Sequence, residues 1–118
     1  MAEFPALPFW TDAWLADTNH LTWEEKGLYH SIIVLLWRSP GCQIPNDEEW
    51  IKRRYHGNAT AVLRLCQEFC KFSEDQKFIY HRRLSDQWNW LQEKRQNNRE
   101  KANYRGNKDK VSSNGNAN

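Results

Sequence analysis

No apolar run in this 118-residue sequence approaches the ~18 residues a membrane-spanning helix needs; Ile32–Trp37, at six residues, is the longest candidate. The N-terminus lacks a basic patch followed by an apolar stretch, so no signal peptide is expected. Cysteine is scarce and odd in number: Cys42, Cys66 and Cys70 have no framework spacing and argue against a disulfide-stapled secreted fold. Gly-rich phosphate loops, a Walker-type Gly-Lys-Ser/Thr and a nucleophile beside a plausible base are all missing. Internal repeats are missing as well. Transporter, secreted toxin and large enzyme are therefore excluded, which leaves one small cytoplasmic domain by length.

What the chain has in plenty is aromatic: seven Trp, five Phe and four Tyr. Charge is nearly balanced at +2 but unevenly placed. Residues 1–50 carry Lys26 and Arg38 against eight acids, a net of −6; residues 51–118 carry fifteen bases against seven acids, a net of +8. A polyanion is steered to the second half and repelled by the first.

Met1–Trp10 reads as an extended arm, since Pro5 and Pro8 remove donors and hold their predecessors out of helix. Thr11 or Asp12 is placed to cap a short helix. Thr22 lies three residues before Glu25, a capping box, and Leu28, Ile32, Leu35 and Leu36 then recur at helical spacing as far as Pro40-Gly41. Cys42–Pro45 is a short extended link or a one-rung strand. Asn46 with Glu49 repeats the cap spacing before a helix to about Tyr55, and Gly57 is a left-handed terminator. Asn58 or Thr60 starts a further helix whose buried stripe is Val62, Leu65, Cys66 and Phe69. The period changes over Lys71–Tyr80, which reads as a hairpin. Leu84, Trp88 and Leu91 dock the start of a last helix; its apolar stripe stops after Gln92.

This order predicts an α+β fold, mostly α and winged-helix-like: a three-helix core with a helix-turn-helix, a β-hairpin wing and a long C-terminal helix. The expected organisation is a domain over 1–92 including an extended arm over 1–10, a solvent-projecting basic helix over 93–105, and a disordered polar tail over 106–118. The same order also accommodates a small α+β enzyme.

The residues Met1–Pro8, Trp10–Ala13, Leu15–Thr18, His20–Thr22, Glu24-Glu25 and Trp37–Cys42 resemble the start of the YdaU-like family, domain-of-unknown-function family 1376. The resemblance covers roughly residues 1–91. Its members are phage and prophage proteins often grouped with replication initiators, with a winged-helix N-terminal domain and a variable C-terminal part. The resemblance implies a DNA-replication role and supplies no catalytic residues. Many relatives continue into a longer C-terminal region, whereas this sequence ends in a polar tail.

On a winged helix, Lys52, Arg53, Arg54, Arg64, Lys71, Lys77, Arg82 and Arg83 gather near the face that meets phosphate. Asn58, Thr60, Ala61 and Arg64 open the helix that reads bases, with Arg64 alone able to make a bidentate guanine contact. The competing account of these cations is an ordinary solvated face, with Arg82 and Arg83 paired to Asp86 or Glu74. Trp14, Trp23, Trp37 and Trp88 fall at core-compatible positions; Trp50 and Trp90 do not place easily. Cys66 and Cys70, with His56 and His81 nearby, lack the paired spacing of a zinc site and read as buried thiols. Glu24-Glu25 and Asp47–Glu49 sit in first helical turns, where acids meet the positive dipole end. The expected function is duplex DNA binding, mainly through phosphates, without catalysis, metal or cofactor. The alternative is a protein-interaction or oligomerisation module using the Phe4–Trp10 arm or the Arg82–Tyr104 helix, or a replication protein as partner, and no membrane.

Overall fold

The capping box forms as the spacing predicts: Glu25 N–H donates to Thr22 Oγ1 at 3.1 Å and Thr22 N–H to Glu25 Oε1 at 3.0 Å. In the computed structural model, which describes the backbone of residues 4–117 and side chains as far as Tyr104, this box starts helix α2 (Trp23–Arg38). Before it lies α1 (Thr11–Thr18); after it come a 3-10 turn (Pro40–Cys42), β1 (Gln43–Pro45), α3 (Glu48–Tyr55), α4 (Ala59–Phe69), β2 (Lys71–Phe72), β3 (Phe78–Tyr80) and α5 (Arg82–Ala117). The protein is thus α+β and mostly α. It divides into two units, Met1–Trp88 and Asn89–Asn118, with the boundary inside α5.

The first unit closes around α2. Ile32 and Leu36 are fully buried with Ile44 of β1, Ile51 of α3, Val62 and Cys66 of α4 and Ile79 of β3. At 1.5–3 kcal/mol for each fully buried aliphatic side chain, this set supplies roughly 10 kcal/mol or more of gross driving force, offset by chain entropy. The sheet is antiparallel in the order β1-β3-β2, with Ile44 opposite Ile79 and Lys71 opposite Tyr80. Of the two readings of Cys42–Pro45, the strand holds: Gln43–Pro45 forms a three-residue β1 beside β3.

The arm is fastened rather than loose. The Trp37 indole N–H donates to the Phe4 carbonyl at 2.6 Å. The Phe4 ring lies edge-on to Trp88 at 6.0 Å, and Phe9 packs on Trp14 at 5.3 Å. Trp14 stacks on Tyr29, which stacks on Phe69 at 4.3 Å. Burial pushes the Tyr29 phenol well above its ordinary pKa.

Three local expectations give way. Neither Thr11 nor Asp12 caps α1: Trp10 takes the N-cap position without a side-chain bond, and Thr11 is already helical. Asp47, not Asn46, caps α3, accepting from Glu49 N–H at 3.0 Å. Trp23 is no core residue: at the first position of α2 it stands 85% exposed with the Lys26 ammonium 4.4 Å from its ring. Helix α5 spans Arg82–Ala117, and the polar tail expected over 106–118 falls on this stretch. The side chains of that stretch lie outside the described residues.

Candidate nucleic-acid interface

The turn between α3 and α4 is made by left-handed backbone. His56 ends α3 at φ 51° and Gly57 follows at φ 94°, a value that strains any side chain but glycine's. Gly57 N–H returns to the Lys52 carbonyl and Asn58 N–H to the Tyr55 carbonyl, so the chain reverses without losing its hydrogen bonds. Helix α4 then buries Ala59, Val62, Leu65 and Cys66. Its opposite face shows Thr60, Arg64 and Gln67, spaced i, i+4 and i+7 and all exposed.

The start of α4 differs from those of α2 and α3. Asn58 occupies the N-cap with φ −87° and ψ 22°, outside the extended region, and its side chain caps nothing. No acid lies in the first turn of α4, whereas Glu24 and Glu25 open α2 and Glu48 and Glu49 open α3. The first backbone N–H groups of α4 are thus unclaimed by a side chain and carry the positive end of the helix dipole.

Lys52, Arg53 and Arg54 form the last turn of α3, directly before this opening, and all three are exposed. Arg54 lies over the Trp50 ring at 4.8 Å, which places that tryptophan as a surface platform. Lys71 begins β2, Lys77 lies at the hairpin tip and Arg82 opens α5, each exposed. No carboxylate among the described residues is within ion-pair reach of Lys52, Arg53, Lys71, Lys77 or Arg82. Arg83 pairs with neither Asp86 nor Glu74; it stands over Trp10 of the arm at 5.4 Å.

Arg64 departs most from expectation. Its Nη2 donates to Glu25 Oε2 at 2.7 Å, so the cation best suited to read guanine is held against the first turn of α2. One turn on, Glu68 pairs with His20. Hydrogen bonds from the Thr22 amide and hydroxyl, then the charge of Arg64, hold the Glu25 carboxyl below its ordinary pKa. The pair is exposed and contributes little to stability, but it sets which way Arg64 points.

The hairpin carries no net charge, and its turn is tied by hydrogen bonds of its own. Asp75 accepts from the Ser73 hydroxyl at 2.6 Å and from Lys77 N–H at 3.1 Å, and these bonds lower its pKa. With Glu74 beside it, two fixed negative charges share the tip with Lys77. Asn46, free of the capping role, donates its backbone N–H to the Lys77 carbonyl at 2.8 Å and its side-chain amide to the Gln76 carbonyl at 2.9 Å. The hairpin is thereby clipped to the β1–α3 link.

Two functional candidates escape the sequence reading. Gln67 was visible in principle, because it continues the Thr60–Arg64 spacing. Trp10 as the partner of Arg83 carried no local signal. Cys42, Cys66 and Cys70 are buried thiols; burial pushes Cys42 up to about 12, and the Cys70 thiol, hydrogen-bonded to the Cys66 sulfur, is likewise raised. Among the described residues no three His, Cys, Asp or Glu side chains gather as a metal site, and no helix is long and apolar enough to cross a membrane.

Among curated proteins and solved structures nothing matches the chain. A family model does match, over residues 7–88 and so over well more than half the sequence. By that match the chain belongs to the DUF1376 family, described as proteins of unknown function.

Proposed function

We propose that this protein is a winged-helix DNA-binding module of a phage or prophage replication protein, acting in the bacterial cytoplasm and gripping duplex DNA mainly by its phosphates. One observation carries the reading: exposed Lys52, Arg53 and Arg54 immediately precede the uncapped start of α4, inside a strand–helix–turn–helix–hairpin order. Unclaimed N–H groups at a helix N-terminus bind phosphate oxygens directly, and cations beside them displace condensed counterions. The neutral hairpin positions rather than attracts: Lys71 and Lys77 are balanced by Glu74 and Asp75. Thr60 and Gln67 are the side chains free to meet base edges, and with Arg64 held by Glu25 their discrimination is weak. Self-association through the arm is less favoured, because Phe4 and Phe9 are packed on the arm's own unit.

Fluorescence anisotropy of a labelled duplex titrated across salt tests the proposal. Each phosphate neutralised adds about −0.9 to the slope of log affinity against log salt. Lys52→Glu with Arg53→Glu is expected to weaken binding at least about tenfold without changing the molecule's mass in sedimentation. A slope near zero, or no binding at about 50 mM salt, overturns the reading.

A further inference from the structure

Among its described residues, the second unit buries none. From Gln92 to Tyr104 the sequence contains no Leu, Ile, Val, Met or Phe, and Ala102 and Tyr104 are the only residues there that are not strongly polar. A helix polar all round finds its role in what it meets in solvent. Its polar residues are nevertheless sorted. Trp90, Lys94, Asn97, Lys101 and Tyr104 recur at i, i+4, i+7, i+11 and i+14, which at 100° per residue confines them to an arc of about 80°. All five are exposed, Trp90 at 52% and Tyr104 at 69%. The Lys94 ammonium lies 5.0 Å from the centre of the Trp90 ring. Glu93 and Glu100, the acids of this stretch, fall outside the arc, and Glu100 accepts from the Gln96 amide at 3.3 Å on a neighbouring strip.

We propose that the stripe Trp90–Lys94–Asn97–Lys101–Tyr104 of α5 binds single-stranded nucleic acid, with the two rings stacking on bases and the two lysines contacting phosphates. An exposed aromatic offers a flat face to any unpaired base, and alternation with cations is the pattern of sequence-tolerant strand binders. Duplex DNA keeps its base faces stacked and out of reach. A membrane surface needs an apolar face to insert, which two rings separated by lysines and an asparagine do not make. A second copy of the helix is disfavoured by the same residues, since the lysines repel one another in a shared seam and the three positions between the two rings offer no apolar knob. At 1.5 Å per residue the two rings stand about 21 Å apart along the helix, room for several nucleotides. The stripe is distinct from the helix-turn-helix, and the inference does not rest on that reading.

The test is anisotropy of a labelled oligothymidylate of about twelve nucleotides with the full chain at about 50 mM salt. The wild-type chain is expected to bind. Trp90→Ala with Tyr104→Ala weakens binding at least about tenfold, whereas Trp90→Phe with Tyr104→Phe stays within about threefold. Lys94→Glu with Lys101→Glu, a second pair at exposed positions, also weakens it at least about tenfold. Four results overturn the proposal: no binding by the wild type; full binding by the alanine pair with its helix content intact; full binding by the glutamate pair; or binding to vesicles of phosphatidylserine and phosphatidylcholine but not to the oligonucleotide.

Discussion

Replacing Glu25 by Gln is expected to tighten binding to duplex DNA, because it releases a cation that the fold holds back. Glu25 has two partners: one oxygen accepts the Thr22 N–H at 3.0 Å, the other accepts from Arg64 at 2.7 Å. A glutamine at this third helical position can still reach back to the Thr22 amide, so the capping box survives. What disappears is the charge that anchors the guanidinium of Arg64. One additional cation on phosphate steepens the salt slope by about 0.9, so a fourfold rise in salt costs the variant about 3–4-fold more affinity than the wild type. Anisotropy with labelled duplex at about 50 and about 200 mM salt measures this difference. Arg64→Ala completes the cycle: it changes little in the wild-type background and removes the gain in the Glu25→Gln background. Equal affinities and equal slopes for the wild type and Glu25→Gln would refute the reasoning. So would an Arg64→Ala loss of the same size in both backgrounds, since Arg64 would then contact DNA regardless of Glu25.

Ile79, fully buried at the centre of the sheet, is expected to cost about 2–5 kcal/mol when cut to Ala, read as a lower urea midpoint. His81 gives a pH dependence. Its neutral Nδ1 accepts from Leu84 N–H at the start of α5 and its Nε2 meets the Tyr29 hydroxyl at 3.1 Å, while burial and then Arg83 lower its pKa. The stabilisation is complete above the unfolded value of about 6.5 and is lost as pH falls through the lower folded value, so the melting temperature drops on acidification and His81→Asn flattens that part of the profile. Trp37→Phe deletes the bond to the Phe4 carbonyl; a loss of about 1 kcal/mol and faster hydrogen exchange over residues 4–10 are expected.

Signals contained within one helical turn were readable. Thr22 and Glu25 stand three residues apart, and both bonds of their box form. The change of period at Lys71 likewise delivered the hairpin. Signals that depend on two elements meeting were not. Arg64 and Glu25 are 39 residues apart, and nothing around either one names the other. Asn46 has a capping spacing to Glu49 that Asp47 fulfils, because the hairpin carbonyls, 30 residues on, offer Asn46 a better use. Trp23 is a different case: it stands at the first position of α2, about 180° round the helix from Ile32, and so faces solvent whatever the other elements do. The excess of basic residues was legible as composition. Its division into unpaired residues, an ion-paired arginine and two arginines lying over tryptophan rings required the tertiary fold.

The paired bonds from Asn46 to the hairpin tip carry a consequence for recognition of any kind. A β-ribbon on a slack hinge must surrender its freedom each time a partner arrives, and affinity suffers accordingly. Here two hydrogen bonds from Asn46, together with the pairing of β1 on β3, tie the ribbon to the β1–α3 link, so less of that cost is left for a partner to meet.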